Sequence, residues 1–491
     1  MLKNDTALIA ALDEASIRYG VFKSTRALED ELVGAQDLDI LVHRDDHKRF
    51  VQIMAAHGAI RSATSPLLLG PGREDWFLPN LETASYLHFD VHTRIVVGGE
   101  FSNTFVAFDY DDVGAWVTAE GLPPRVSALD EARITLSRIS FRENGRPFSG
   151  TVAPRGDWKV EITELLYPPG SPDTATVDFP HLGAGIELTL TRRADGFEIA
   201  RAALHRLRGA IIARNGGGAL AYRANYIRSA LRGTAYKLNR LYERVLSGRA
   251  LSRRGPSTGG LAVVIIAPDG LGKSTQMARL YKSFSRKFNA TTEYLGTGDG
   301  SGWALRRLIR SLYNRKIGEG RPAKNAKTAL GAPKFARKSD TLVTASLRAL
   351  WGLMIALERY QTVRRVMKAR NRGFIVICDR WPQSMEAGRM DGPVDLGARA
   401  THPALRPLVR METALYARID RMPADLMIHM VADHAVSAAR KPGEIKKTAY
   451  EARLDLMCRL RAADPRIVVI DASQDIGSVT SDIFTYIWQR L

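Results

Sequence analysis

Cysteine is nearly missing from this chain: 491 residues hold only Cys378 and Cys458. Two thiols cannot build a disulfide framework or a metal cluster, which excludes the small stapled scaffolds and fits a reducing cytoplasm. Cys378 falls inside an apolar run and reads as a small core residue. Long hydrophobic runs are missing too. No stretch approaches the roughly 20 apolar residues of a membrane span, and MLKNDTALIAALDEAS lacks the layout of a signal peptide. The expected location is therefore cytoplasmic. Acids are in short supply, 52 against 71 Lys and Arg, a formal charge of +19. That excess points to polyanions, a membrane surface or phosphorylated substrates. No helix-turn-helix or aromatic RNA platform is recognisable, so nucleic acid is not the expected partner. The apolar and charged fractions, 45% and 25%, are those of a globular protein, and the length calls for two or three domains.

What is present is centred on Leu261 to Thr275, LAVVIIAPDGLGKST. An apolar run rich in β-branched residues predicts a buried strand. It breaks into a Gly-containing loop ending in Gly272-Lys273-Ser274-Thr275, and Gln276 to Phe284 continues as a helix. Such a loop turns its backbone N–H groups inward as an anion nest and aims a helix N-terminus at the same point. Lys273 then reaches terminal phosphates, and Ser274 offers its hydroxyl to Mg²⁺. A second apolar run, Phe374 to Cys378, ends in Asp379-Arg380-Trp381. Asp379 is expected to support the metal, and Arg380 to clamp an anionic acceptor with its planar fork. Strand candidates Leu261–Ile266, Thr291–Leu295, Phe374–Cys378, Leu426–Val431 and Ile467–Ile470 alternate with helical segments, which predicts a parallel five-stranded sheet with ligands at the strand ends.

These residues resemble the thymidylate kinases, whose phosphate loop carries an acidic residue and a glycine ahead of Gly-Lys, as Asp269-Gly270-Leu271-Gly272-Lys273 does here. The resemblance covers about Gly260 to Leu491. It implies a P-loop NTPase fold and phosphoryl transfer from ATP with Mg²⁺. Nucleotide contacts fall on Asp269, Gly270, Gly272, Lys273, Ser274 and Thr275, with Asp269 touching an acceptor hydroxyl. Ala439-Arg440-Lys441 resembles the family's lid by position, so Arg440, with Lys441 second, is expected to close over the transferring group. The chain departs from the family at Ala267, where the first glycine usually stands. It departs again on the acceptor side, at Glu293-Tyr-Leu-Gly-Thr-Gly-Asp299 and Trp381-Pro-Gln-Ser384.

Near the N-terminus a helix candidate over Thr6–Arg18 and a short strand, Val21-Phe22, lead to Lys23-Ser24-Thr25. Asp37-Leu-Asp39-Ile-Leu-Val follows. Alternate strand residues share a face, so Asp37 and Asp39 point the same way, and a divalent cation is a natural reason to tolerate them. A helix over Asp46–His57 and a further strand, Tyr86-Leu-His-Phe-Asp90-Val-His92, complete the pattern. It resembles the nucleotidyltransferase fold of the polymerase-beta type. The resemblance implies that Asp37, Asp39 and Asp90 are metal ligands and that Ser24 marks a phosphate turn; Lys23 stands where the family has glycine.

Gly and Pro clusters punctuate Ser140–Asp195; Glu187–Thr191 alternates like a strand, and Lys159–Tyr167 fits helix or strand. Between Arg201 and Arg254 there are thirteen Lys and Arg and one acid, Glu243. Tyr222, Tyr226, Ile227, Leu231, Leu238, Leu241, Tyr242 and Val245 recur near helical spacing. One reading is a membrane-surface or polyanion-binding face. The favoured one is an inter-domain helix docked by its apolar side. Gly248–Gly260 reads as a linker, and Arg306–Lys338 as a basic loop. The fold expected is thus α/β: a nucleotidyltransferase-like α+β domain (1–139), a basic mixed and helical connector (140–254) and a P-loop kinase domain (255–491). The overall likeness is to bacterial two-domain thymidylate-kinase-like proteins found with surface-polysaccharide genes. The expected function is ATP/Mg²⁺-dependent phosphorylation of a small-molecule nucleotide, sugar or polyol, coupled to nucleotidyl transfer. The rival is an ATP-gated protein that binds a polyanion or the inner membrane peripherally. Oligomeric state is not legible; a dimer is compatible.

Overall fold

A computed structural model describes residues 3–23, 37–64, 71–99, 101–142, 151–152, 157–194, 196–247, 254–296, 342–387, 391–393, 402–442, 447–464 and 466–491. Ser24 and the Arg306–Lys338 block lie outside the described residues. The chain divides into two compact units, Met1–Asn80 with Ser85–Ser257, and Leu81–Ala84 with Thr258–Leu491.

The first unit opens with α1 (Lys3–Glu14), β1 (Tyr19–Val21), β2 (Asp37–Val42), α2 (His47–Ala56), β3 (Ile60–Thr64), β4 (Arg73–Asn80) and β5 (Ser85–His92). It continues with a two-stranded ribbon, β6 (Ile95–Gly99) and β7 (Ser102–Phe108), then β8 (Trp116–Ala119), β9 (Leu122–Val126) and α3 (Ala128–Arg142). A mixed eight-stranded sheet runs β14-β3-β4-β5-β2-β1-β9-β8, where β14 is Arg254–Pro256. Period two sorts β2 between two cores. Leu38, Ile40 and Val42 pack with Leu8 and Leu12 of α1 and Phe50 and Met54 of α2, while Leu41 joins the cluster around α3. Asp37 and Asp39 share the side of Leu41.

The expected boundary at residue 139 falls inside α3. Beyond it come β10 (Thr151–Val152), α4 (Asp157–Leu166), β11 (Thr174–Asp178), β12 (Glu187–Arg193), β13 (Gly196–Ala200), α5 (Arg201–Arg214) and α6 (Ala219–Ser247). Strands β10 to β13 form an antiparallel sheet, and α4 settles the ambiguous Lys159–Tyr167 stretch as helix. Part of the expected linker is strand: β14 pairs antiparallel with β3, and Ser62 Oγ donates to the Gly255 carbonyl at 3.1 Å. Pro256 is tolerated because β14 is an edge strand.

The favoured docking of the basic helix is overturned. Helix α6 turns its polar and small side inward: Asn225, Ser229, Gly233 and Tyr236 are buried, while Ile227, Leu231, Leu238 and Leu241 are exposed. The reason is hydrogen bonding to the β6–β7 ribbon. Asn225 accepts from the Gly99 amide at 3.1 Å and donates to the Ser102 carbonyl at 2.6 Å; Ser229 Oγ accepts from the Phe101 amide at 3.0 Å. A Cβ at Gly233 would come 2.9 Å from the Phe101 ring, so the close approach needs glycine there.

The second unit carries the expected parallel sheet. Its strands are β15 (Leu261–Ile266), β16 (Ala290–Tyr294), β17 (Ile375–Asp379), β18 (Leu426–Val431) and β19 (Ile467–Asp471), in the order β16-β17-β15-β18-β19. All six residues of β15 are buried, as a strand covered on both faces requires. The helices are α7 (Lys273–Ser285), α8 (Leu342–Arg370), α9 (Arg406–Asp420), α10 (His434–Arg440), α11 (Lys447–Ala463) and α12 (Ile476–Trp488). Phe284 of α7 stacks on Phe484 of α12 with centroids 5.1 Å apart. Buried Gln276 ties the same two helices, accepting from Thr480 Oγ1 at 2.7 Å and donating to the Ile476 carbonyl at 3.1 Å. Cys378 is fully buried in β17, and burial pushes its thiol pKa up, as expected of a core residue. Among the described residues, no helix is long and apolar enough to cross a membrane.

Candidate phosphate-binding site and carboxylate cluster

In the second unit the loop between β15 and α7 takes its shape from two glycines. Gly270 and Gly272 have φ of +87° and +79°, and Gly272 is the residue just ahead of α7. A Cβ at Gly270 would also lie 2.7 Å from Ser437 Oγ and 3.0 Å from the Ser437 carbonyl oxygen, so a side chain there would have to displace Ser437. Ala267 is absent from the residues with positive φ, which explains why alanine serves where the resemblance expects glycine. Lys273 is the first residue of α7, and its Nζ donates to Asp379 Oδ1. The sheet register arranges this: β15 and β17 are parallel with Ile265 opposite Asp379, so the loop and the aspartate leave the sheet together. Ser274 and Thr275, on the first turn, are exposed.

Arg380 follows directly and adopts φ of +70°, a strained value for a side-chain-bearing residue. Its Nη1 lies 3.5 Å from Asp391 Oδ2. Burial works against its charge, but Asp391, Tyr294, Asp379 and Asp269 outweigh that and raise its pKa. Asp391 is itself held by buried Arg359 at 2.9 Å. Lys273 and Arg380 therefore lie at the same end of the sheet, joined through Asp379.

The structure redistributes the other expected roles. Asp269 accepts from Arg453 Nη1 at 3.0 Å, and its carbonyl accepts from Ser437 Oγ at 2.8 Å. Arg440 does not face the loop. Its Nη1 donates to the Ala472 carbonyl at 2.9 Å and its Nη2 to that of Gln474 at 3.4 Å, because α10 seats Ser437 on the loop and carries Arg440 toward the end of β19. Lys441 is exposed just past α10. The cation that meets the loop is Arg453 of α11, and Ser437 is its hydroxyl partner. Neither was picked out from sequence, since no local motif marks them.

A cavity of about 260 Å³ opens beside the start of the loop, lined by Pro268, Arg380 and Arg453 and by the apolar Trp381, Met427 and Met457. His429 of β18 also lines it, fully buried, with Nε2 lacking a hydrogen-bond partner among the described residues. Burial, helped by Arg461, lowers its pKa to about 4, so the imidazole is neutral at pH 7.

In the first unit, parallel pairing of β2 with β5 sets Asp39 opposite Asp90 and Asp37 opposite His88. The three expected ligands are thereby separated. Donor atoms of Asp39, Asp90 and His92 lie within 4.8 Å of one another, whereas Asp37 Oδ2 lies 3.0 Å from His88 Nδ1. His88 Nε2 is 2.9 Å from Asp75, which also holds Arg254 at 3.1 Å. Arg73 forks onto both oxygens of Asp90, at 2.7 and 2.5 Å, and Lys23 Nζ is 3.3 Å from Asp39. Burial opposes ionisation of Asp90, but His92 and Arg73 hold its pKa well below the usual range. His92 is buried; its Nε2 lies 3.0 Å from Asp90 outside hydrogen-bonding alignment, and Nδ1 has no partner among the described residues. The donor set of two carboxylates and an imidazole suits a divalent cation, but Lys23 and Arg73 already supply positive charge to both acids.

No family model matches the chain. Over 225 residues, 44% of this chain and 82% of the relative, it is 27% identical to the "Uncharacterized ATP-binding protein YghR" of Escherichia coli K12. The same figures hold for the protein of that name from Escherichia coli O6:H1 strain CFT073. Solved structures similar to the chain include thymidylate kinase from Ehrlichia chaffeensis (15% identity, 47% of this chain and 98% of that one, TM-score 0.25). Another is thymidylate kinase from Candida albicans (16% identity, 47% and 92%, TM-score 0.27).

Proposed function

We propose that the second unit is an ATP- and Mg²⁺-dependent phosphotransferase of the nucleoside-monophosphate-kinase type. One observation carries this reading: Lys273, at the start of a helix behind a loop with two left-handed glycines, meets Asp379 at the end of the neighbouring parallel strand. A loop of this shape gathers backbone amides around an anion. The name of the ATP-binding relative agrees with it. In this reading the triphosphate draws Lys273 from Asp379 onto its terminal oxygens. The Ser274 hydroxyl and the Asp379 carboxylate, both hard oxygen donors, would hold Mg²⁺. When bound, that ion neutralises phosphate charge as it transfers.

The acceptor, a nucleotide, sugar or polyol, is placed in the cavity next to the loop. Arg380 and Arg453 hold its anionic group, and Asp269, once released by Arg453, contacts its hydroxyl. Arg440 is given no direct part; its guanidinium braces the chain after β19 against α10. For the first unit we propose a nucleotidyltransferase-type domain in which Asp39, Asp90 and His92 hold a divalent cation that arrives with a nucleotide. The adjacency of Asp39 and Asp90 supports this. Use in surface-polysaccharide metabolism completes the proposal.

The test is a screen of nucleotides, sugars and polyols with γ-labelled ATP, wild type against Lys273→Ala. Label should appear on one acceptor class with wild type alone. Transfer that survives Lys273→Ala contradicts the assignment.

A further inference from the structure

Helix α6 presents an outward apolar stripe that its fold leaves uncovered. Leu220, Ile227, Leu231, Leu238 and Leu241 are 58 to 80% exposed. Steps of seven, four, seven and three residues keep them on one side of a 29-residue helix. The opposite side, Asn225, Ser229, Gly233 and Tyr236, is the one bonded to the β6–β7 ribbon. The apolar side thus has no part in holding the helix in place. Single exposed leucines are ordinary, but a continuous stripe along a docked helix marks an interaction surface.

Charge decides what covers it. The helix sequence holds six Lys and Arg and one acid. Arg223 and Lys237 lie on one flank of the stripe and Arg228 on the other, all exposed, and among the described residues none of them forms an ion pair. The spacing alone would suit a coiled-coil pair with a second copy. Such a pair would bring like-charged flanks together, where coiled coils place opposite charges. A cationic margin around an apolar stripe instead matches an anionic lipid surface, with leucine and isoleucine entering the acyl boundary and the cations meeting headgroup phosphates.

We propose that α6 is a surface anchor that seats the protein flat on an anionic bilayer. The reading is independent of the kinase assignment, which rests on the second unit.

Flotation of the full chain tests it, using phosphatidylcholine vesicles and vesicles containing about 30% phosphatidylglycerol. Wild type should float with the anionic vesicles, stay behind with the neutral ones, and lose binding steeply as salt rises. Ile227→Glu with Leu231→Glu should weaken binding roughly tenfold or more with little drop in thermal stability, since both side chains are mostly exposed. Arg223→Gln with Arg228→Gln and Lys237→Gln should weaken it by a similar factor through charge alone. Equal flotation with neutral vesicles, or unchanged binding by both variants, overturns the proposal. So does a concentration-dependent dimer, measured by light scattering, that the double variant dissolves while wild type ignores vesicles.

Discussion

Two lysine–aspartate pairs, Lys273–Asp379 and Lys23–Asp39, differ in what surrounds them. Around Lys273 lie a glycine-shaped loop and a helix N-terminus, and the start of that loop, Ala267 and Pro268, lines a cavity. In the proposed reading, a phosphate tail takes the place of Asp379 on Lys273. Around Lys23 the charges already answer one another. Asp37, Asp39, Asp75 and Asp90 face Lys23, Arg73, Arg254, His88 and His92, four acids against three fixed cations and two imidazoles. Burial pulls the His88 pKa down, but its contacts with Asp37 and Asp75 raise it on balance. A bare divalent cation entering that cluster would leave it positive, whereas one carried by a polyanionic ligand would not. The same kind of ion pair therefore stands beside a glycine-shaped loop, the proposed anion seat, in one unit and inside a balanced network in the other.

The contrast breaks most easily at Lys273. Lys273→Ala should lower phosphoryl transfer at least about a thousandfold, roughly 4 kcal/mol of transition-state stabilisation, in a single-turnover assay with labelled ATP. A loss under tenfold would make the pair structural, like its counterpart.

Next comes Arg73. Arg73→Ala leaves buried Asp90 without its guanidinium and should cost about 3–5 kcal/mol in denaturant unfolding. The paired Asp90 has a lowered pKa, so its contribution is present above the unfolded value near 4 and fades as pH falls through the folded one. The penalty should accordingly shrink in strong acid. A cost under 1 kcal/mol would mean that Asp90 is already solvated.

His429 sharpens the comparison from the cavity side. Its pKa falls from 6.5 to about 4 on folding. The unfolded chain therefore binds the proton more tightly, and the neutral imidazole's contribution is complete above about pH 6.5 and lost as pH drops toward 4. The difference is on the order of 3 kcal/mol. His429→Gln should flatten the melting temperature between pH 7 and 4.5 relative to wild type; parallel curves would contradict the burial argument.

The smallest effect concerns the loop. Ala267→Gly should cost under about 1 kcal/mol, from backbone entropy, and leave transfer unchanged. A gain in activity would show that alanine obstructs the nucleotide.

What the sequence disclosed follows how locally each feature is encoded. The run into Gly272-Lys273 and the strand into Asp379 are contiguous patterns, and the five strands lie within a residue of their expected places. Arg453 and Ser437 were invisible because their partner, Asp269, lies more than 160 residues away and only packing of α10 and α11 brings them to it. Period two put Asp37 and Asp39 on one face, but only the register of β2 against β5 shows that His92, not Asp37, joins Asp39 and Asp90. Helix α6 was legible as a helix and misread as to its side. Apolar spacing reveals an amphipathic axis, whereas Asn225 and Ser229 fixed the docked face through hydrogen bonds that no hydrophobic pattern records.

Titration calorimetry of ATP with Mg²⁺ into wild type and Lys273→Ala addresses the central claim directly. Saturable one-to-one binding by wild type, weakened about a hundredfold or more in the variant, is the predicted result. Equal heats and equal affinities for the two proteins would contradict it.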